Sequence, residues 1–170
     1  LDADVCATAY RALNGRSGAV GVYNYETGEI VCMVSSPTYD PEDPPSLSSD
    51  DKSGVYINRF TSATFPPGSI FKLVTAAAAI ENLDDAYTYT ANCTGREDYG
   101  HGDRVTDLDA HGTVDLEKAL EVSCNVYFGK LSEKLGGNLI EKYVDKTGLA
   151  ESIDINGIET AAGSFEYPEG

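Results

Sequence analysis

The sequence predicts an α+β fold, and three observations predict it. Two runs rich in β-branched residues, Gly18 to Tyr25 and Ile30 to Ser35, flank the short turn Glu26-Thr27-Gly28-Glu29, the pattern of an antiparallel hairpin. Gly68 precedes a strong helix former, Ser69 to Asn82, with Ala76-Ala77-Ala78-Ala79 at its middle. Segments with helical spacing follow around Leu116 to Val122 and Val126 to Leu135. With 170 residues, 41% hydrophobic and 24% charged, the chain is long enough to bury the core of one domain, residues 1–170.

Taken in order, Asp4 to Leu13 reads as a short helix, because Val5, Ala9 and Leu13 recur at helical spacing and Asn14-Gly15 stops it. In the hairpin, Val20, Val22, Ile30, Val31 and Val34 make both faces partly apolar, so the strands are expected inside a sheet covered on both sides. Tyr23 and Tyr25 alternate there and are expected to pack. Ser36 to Gly54 holds Pro37, Pro41, Pro44 and Pro45, which makes regular structure improbable. Asn92 to Gly112 is polar and Gly-rich and reads as a loop. Thr113 is placed to cap a helix through Leu116, Leu120 and Val122. Ser123-Cys124-Asn125 interrupts that helix, the next ends at Gly136-Gly137, and Leu139 to Asp145 is a last short helix. The tail after Gly148 reads as irregular.

The charge narrows the function classes. With 12 Lys+Arg against 28 Asp+Glu, the formal net charge is -16. Phosphate binding needs clustered cations, so the balance argues against a nucleic-acid partner and against adsorption to an anionic membrane surface. An acidic, self-repelling, soluble surface accounts for the balance. The most apolar stretch, Ile70 to Ile80, is short for a membrane span and carries Lys72. The opening Leu1-Asp2-Ala3-Asp4 lacks an initiator Met, so the chain is expected to be a piece of a longer protein with any anchor outside it. Cys6, Cys32, Cys93 and Cys124 form no C-x-x-C pair, which argues against a zinc or thioredoxin-type site. An even count permits two disulfides, but free, partly buried thiols are the reading preferred.

Two motifs carry chemistry. In Ser69-Ile70-Phe71-Lys72 the hydroxyl and amine are three residues apart and share a helical face. Ser69 falls at a helix N-terminus, where the dipole and free N–H groups favour negative charge. Lys72 lies among Ile70, Phe71, Leu73 and Val74; burial disfavours its ammonium form and suits it to act as a neutral base. A second Ser-x-x-Lys, Ser49 to Lys52, lies in an acidic loop with no apolar helix behind it and reads as chance; taken alone, the first is also better explained by a surface serine and a snorkelling lysine. The other motif is Ser123-Cys124-Asn125 between two helices. Its hydroxyl can relay a proton, and its amide can orient the lysine. The competing explanation is that Ser123 or Asn125 merely caps the helix beginning at Val126. Cys124 is read as a spacer facing the core, because no histidine is placed to activate it.

Together the motifs resemble the signature of penicillin-binding proteins and class A β-lactamases, Ser-x-x-Lys with a Ser-Asp-Asn-like motif and a later Lys-Thr-Gly. Tyr56-Ile57-Asn58-Arg59 and Phe65-Pro66-Pro67-Gly68-Ser69 resemble the approach to the active serine in class B penicillin-binding proteins. His111-Gly112-Thr113-Val114-Asp115-Leu116, followed by Ser123-Cys124-Asn125-Val126-Tyr127-Phe128, resembles their second-motif region. The opening helix and hairpin, with Gly28 to Pro37, are similar to the first strands of the same domain.

The resemblance implies an antiparallel sheet with flanking helical clusters. It implies Ser69 as nucleophile, Lys72 as base, and Ser123 and Asn125 as catalytic partners, with no cofactor and no metal. The substrates it implies are D-Ala-D-Ala stem peptides of peptidoglycan, with β-lactams as mimics, and the location is extracytoplasmic, anchored through a segment absent here. Lys146-Thr147-Gly148 is rejected as the third motif, because it follows Asn125 too closely and ends a helix, where Lys complements the dipole and Gly caps. The chain is therefore expected to be a partial transpeptidase domain, its C-terminal strands missing, with little activity alone. The open sheet edge this leaves is expected to favour some self-association. His101, Asp103, Asp107, Asp109 and His111 make a polar cluster, which fits no EF-hand or zinc template and is read as a solvated loop in preference to a cation site. A serine β-lactamase or β-lactam sensor, a non-catalytic scaffold or binding module, and an acidic cation-binding module stay open as alternatives.

Overall fold

The structure, a computed structural model, describes residues 1–100 and 102–167. The chain divides into two compact units, Leu1–Phe65 with Ser152–Ala162, and Pro66–Glu151 with Gly163–Gly170.

The first unit opens with α1 (Ala3–Leu13), whose N-terminal N–H groups on Asp4 and Val5 are accepted by the Asp2 carboxylate at 3.0 Å. Asn14 turns into the left-handed region at φ 46° and closes the helix, as Asn14-Gly15 predicts. Strands β1 (Gly18–Tyr23) and β2 (Ile30–Ser36) pair antiparallel with Val20 opposite Val34 and Val22 opposite Cys32. β1 ends two residues before the predicted limit, because the Asn24 side chain accepts from Glu26 N and Thr27 N and winds the chain into the turn. α1 packs on β2, but Val22, Tyr23 and Tyr25 are exposed. The expected cover on both faces therefore fails at this end of a two-stranded ribbon, and these tyrosines do not pack.

Phe60 of the short helix α2 (Arg59–Ser62) lies across β1 so closely that a Cβ on Gly21 would overlap its ring. The Pro-rich segment before α2 forms no helix or extended strand, as expected.

In the second unit a 3-10 turn, Gly68–Phe71, leads into α3 (Lys72–Asn82). The segment expected to be a loop instead forms two antiparallel ribbons. β3 (Ala91–Cys93) pairs with β6 (Gly112–Val114), and β4 (Arg96–Gly100) pairs with β5 (Asp103–Thr106). The sequence disguises them because β4 and β5 turn only a few side chains inward, leaving the alternation almost wholly polar. Thr113 lies in β6 and is not the cap of α4 (Leu116–Glu121); Asp115 is, accepting from Lys118 N at 2.9 Å. Helices α5 (Asn125–Leu135) and α6 (Gly137–Thr147) complete the unit. The tail expected to be irregular contributes a hairpin to the first unit, β7 (Asp154–Ile155) and β8 (Ile158–Glu159). Its turn is Asn156-Gly157, both at positive φ, an Asn-Gly hairpin signal present in the sequence.

Packing explains the alanine run. Ala76 and Ala79 face a core with Leu116, Val126, Tyr127, Phe128 and Leu131, while Ala78 and Val74 face a second with Ile140, Tyr143 and Val144. Small side chains on α3 let α5 and α6 both approach it closely. Leu131 is fully buried in the first of these cores. Leu131→Ala is expected to cost about 2–5 kcal/mol, read as a lowered urea midpoint, while Leu108→Ala at a fully exposed position leaves the midpoint unmoved.

Candidate active site

Ser69 sits in the 3-10 turn and Lys72 is the first residue of α3. Gly68 at φ 58° makes the entry, a conformation costly for any side-chain-bearing residue. This leaves Ser69 exposed and Lys72 buried, 9% exposed, with Nζ 3.2 Å from Ser69 Oγ.

The second motif meets them from the start of α5. Ser123 takes the left-handed region at φ 55° between α4 and α5. The cap of α5 is Cys124, whose Sγ accepts from Tyr127 N at 3.3 Å. Neither Ser123 nor Asn125 does the capping, so both side chains are free to face Lys72. Its Nζ reaches Ser123 O at 2.6 Å, Ser123 Oγ at 2.8 Å and Asn125 Oδ1 at 2.6 Å. Ser123 Oγ also donates to Ser69 Oγ at 3.0 Å.

Burial pushes the Lys72 amine below its ordinary lysine value, against the opposing pull of Asp107 and Cys124. The source of that burial differs from the one expected from sequence. Ile70 and Leu73 are 67% and 63% exposed. What covers the amine is the start of α5: Ser123, Asn125 and the Phe128 ring, whose centroid lies 5.9 Å from Nζ.

Asp107, just after β5, holds this arrangement in place. Its Oδ1 accepts from Asn125 N at 2.6 Å and its Oδ2 from Val126 N at 3.0 Å, at the positive end of α5. Burial would raise its pKa, but the Val126 and Asn125 N–H groups and the Cys93 and Cys124 thiols outweigh it and hold the carboxylate below its usual range. Asn125 Nδ2 donates to Thr106 O at 2.8 Å, which turns the amide so that its oxygen meets Lys72.

Within the cluster expected to be a solvated loop, Asp103 and Asp109 are exposed, while His101 lies outside the described residues. Asp107 and His111 are not solvated, with side chains 3% and 17% exposed. Each lies beside Cys93, at Oδ2 3.2 Å and Nδ1 3.6 Å. A histidine therefore does stand near Cys124, contrary to expectation, within 4.8 Å of its sulfur. Burial nonetheless pushes the Cys124 thiol up to about 12, and the residue faces the core as expected. All four cysteines are free thiols. No signal in the sequence marked Asp107 as the support of the second motif, because that role depends on an unrecognised strand ending beside α5.

The rejected motifs lie apart from this site. Lys146 pairs with Glu81 at 3.0 Å near the end of α6, and Gly148 caps that helix at φ 68°. Ser49 and Lys52 are exposed and belong to no helix.

Known proteins share this arrangement of chain. The penicillin binding protein transpeptidase domain model matches residues 18–168. The peptidoglycan D,D-transpeptidase MrdA of Acinetobacter baumannii is 27% identical over 99% of this chain and 27% of its own length. The peptidoglycan D,D-transpeptidase PbpA of Mycobacterium tuberculosis is 31% identical over 78% of this chain and 30% of its own. The chain thus spans less than a third of either relative.

Among solved structures, Pseudomonas aeruginosa PBP2 in complex with WCK 5153 superposes with TM-score 0.80 and 26% identity, over 94% of this chain and 39% of that one. The ceftriaxone acyl-enzyme of penicillin-binding protein A from M. tuberculosis gives 0.82 at 24% identity, over 95% and 41%, and shows the shared fold. The expected α+β class and its family resemblance are borne out: with the match running through both units, the chain belongs to the penicillin binding protein transpeptidase family.

Proposed function

We propose that this chain supplies the nucleophile, the base and their positioning groups to a peptidoglycan D,D-transpeptidase that works through an acyl-serine. The observation that carries the reading is the convergence of four oxygens on Lys72 Nζ. Ser123 O and Asn125 Oδ1 can only accept hydrogen bonds. They occupy two N–H bonds of the neutral amine, so its lone pair is left facing the two hydroxyls. Ser69 Oγ then attacks the carbonyl carbon of the penultimate D-Ala, and its proton passes to Nζ. Ser123 Oγ, within 3.0 Å of both Nζ and Ser69 Oγ, passes a proton on to the departing amine of the terminal D-Ala. The ester on Ser69 is resolved by the amine of a neighbouring stem peptide, whose proton returns by the same route. A β-lactam acylates the same oxygen, and its opened ring keeps the leaving amine tethered.

The substrate implies work outside the cytoplasmic membrane. Among the described residues no helix is long and apolar enough to cross a membrane.

Intact-protein mass spectrometry after incubation with benzylpenicillin is expected to show one adduct, mapped to Ser69 and absent from Ser69→Ala. A persistent adduct separates a transpeptidase from a β-lactamase, which would release it. Failure of Ser69 to acylate both in this folded chain and in the full-length protein would overturn the reading.

Acylation is also expected to quicken as pH rises, because the neutral amine is the base and a lowered pKa enlarges its fraction at any given pH. The inflection should lie below 10.5, the ordinary lysine value. Lys72→Arg keeps its charge and is expected to slow acylation by about 10²-fold or more, measured by quenched-flow mass spectrometry. A pH-independent rate would rule out Lys72 as the base.

A further inference from the structure

We propose that Cys6 and Cys32 form a redox-controlled bridge that ties α1 to β2, made by an oxidant of the disulfide class and broken by thiols. Both residues lie in the first unit, and neither takes part in acyl transfer.

The fold sets the two side chains opposite each other. On α1 the half-buried residues are Cys6, Ala9 and Leu13, which fall on one helical stripe. α1 packs on β2, so this stripe faces the strand. Along β2 burial alternates: Cys32, Val34 and Ser36 are buried, while Val31, Met33 and Ser35 are half-buried. The Met33 face meets the segment around α2, where Asn58 Nδ2 donates to Met33 Sδ at 3.3 Å and Ser35 Oγ donates to Ile57 O at 2.9 Å. Cys32 therefore points to the opposite face, the one α1 covers.

The backbone fixes the register. Asp2 N donates to Val31 O at 2.7 Å, and Cys6 N donates to Asp2 O at 3.0 Å, one helical turn on. Cys6 is thus held at the strand position where Cys32 emerges. Burial, and after it the neighbouring Cys6 thiol, push the Cys32 thiol above its ordinary value. A single buried cysteine is most simply an apolar filler. Two thiols that face each other across a helix–strand interface meet the first geometric condition of a disulfide.

Access decides the order of the chemistry. Cys32 is 0% exposed, whereas Cys6 lines a surface hollow with Tyr10 and Val34. Cys6, as the thiolate, attacks one sulfur of the oxidant and expels the other as a thiolate. Cys32 then gives up its proton and attacks Cys6 Sγ in the mixed disulfide, which expels the oxidant's second sulfur. The two cysteines lose two protons and two electrons, and the oxidant's S–S bond takes up both electrons. The half-exposed position of Cys6 leaves the bridge open to reductants, so it acts as a switch.

The consequence falls on α1. That helix has no fully buried residue, and its hold on β2 rests on a narrow stripe and the Asp2–Val31 hydrogen bond. A covalent link from residue 6 to residue 32 adds to that hold by restricting the unfolded chain.

The test uses the whole chain, reduced with dithiothreitol, desalted, confirmed folded by circular dichroism, then incubated with oxidised glutathione. Arg11 and Arg16 lie between the two cysteines, so trypsin without reductant is expected to release peptides 1–11 and 17–52 joined through Cys6 and Cys32. The Tm is expected to rise by about 5 °C or more and to return to its first value on renewed reduction. Cys6→Ser, folded like the reduced wild type, is expected to lose both the joined peptide and the Tm response. The proposal is overturned if oxidation leaves Cys32 unpaired, whether Cys6 stays a thiol or carries only glutathione. It is equally overturned if Cys6 pairs with another cysteine or another copy, or if Cys6→Ser keeps the full Tm response. None of these readouts involves Ser69, so the bridge and the acyl-serine chemistry fail or hold separately.

Discussion

The candidate site depends on a buried amine surrounded by fixed acceptors. Lys72 has lost most of its contact with water, and hydrogen bonds to the start of α5 replace it. An isolated ammonium in such a place is costly. Oxygens that stabilise it without carrying full charge reduce that cost and leave the neutral form accessible. The same oxygens determine where the lone pair goes, because two of them have no hydrogen to offer. Position and protonation of the base therefore have a common origin in the backbone and side chains of residues 123 to 125.

That origin must itself be held still. The turn at Ser123 is left-handed, and Asn125 is anchored twice, by its backbone N–H on Asp107 and by its amide on Thr106. From the other side, α3 is brought near α5 by alanines that leave no bulk between the helices. Residues one helical turn apart set the distance from Ser69 to Lys72. The distance from Lys72 to Ser123 is set by tertiary packing between α3 and α5 and by the β5 connection. The first of these relations is local in sequence and the second is not.

This difference explains what was legible beforehand. Ser69 and Lys72 could be paired from their spacing and from the helix behind them, but alone that spacing describes a surface serine and a snorkelling lysine better, and it gained weight only beside the second motif; the helices could be read because alanine and leucine periodicity survives without tertiary help. Ser123 and Asn125 could be named through the family resemblance, but from the residues alone a cap was the better account. Only the structure assigns the cap to Cys124. Asp107 was placed in a solvated loop because β4 and β5 are too polar to betray their alternation. The missed Asn156-Gly157 hairpin is different: its turn signal is explicit, and the strands beside it, two residues each, are too short to show a period. Burial of Lys72 was anticipated for the wrong reason, since hydropathy of sequence neighbours says little about which face of a helix they occupy.

Electrostatics and restraint at the base meet in Asp107. Its charge favours the ammonium form of Lys72 while burial opposes it, so the carboxylate acts on the base through space and without touching it. Its contact with the site is mechanical: Asp107 Oδ1 accepts from Asn125 N and Oδ2 from Val126 N, which limits the motion of Asn125. A site whose chemistry relies on an amide oxygen 2.6 Å from the base gains from that restraint, because a small displacement there redirects the lone pair away from the nucleophile.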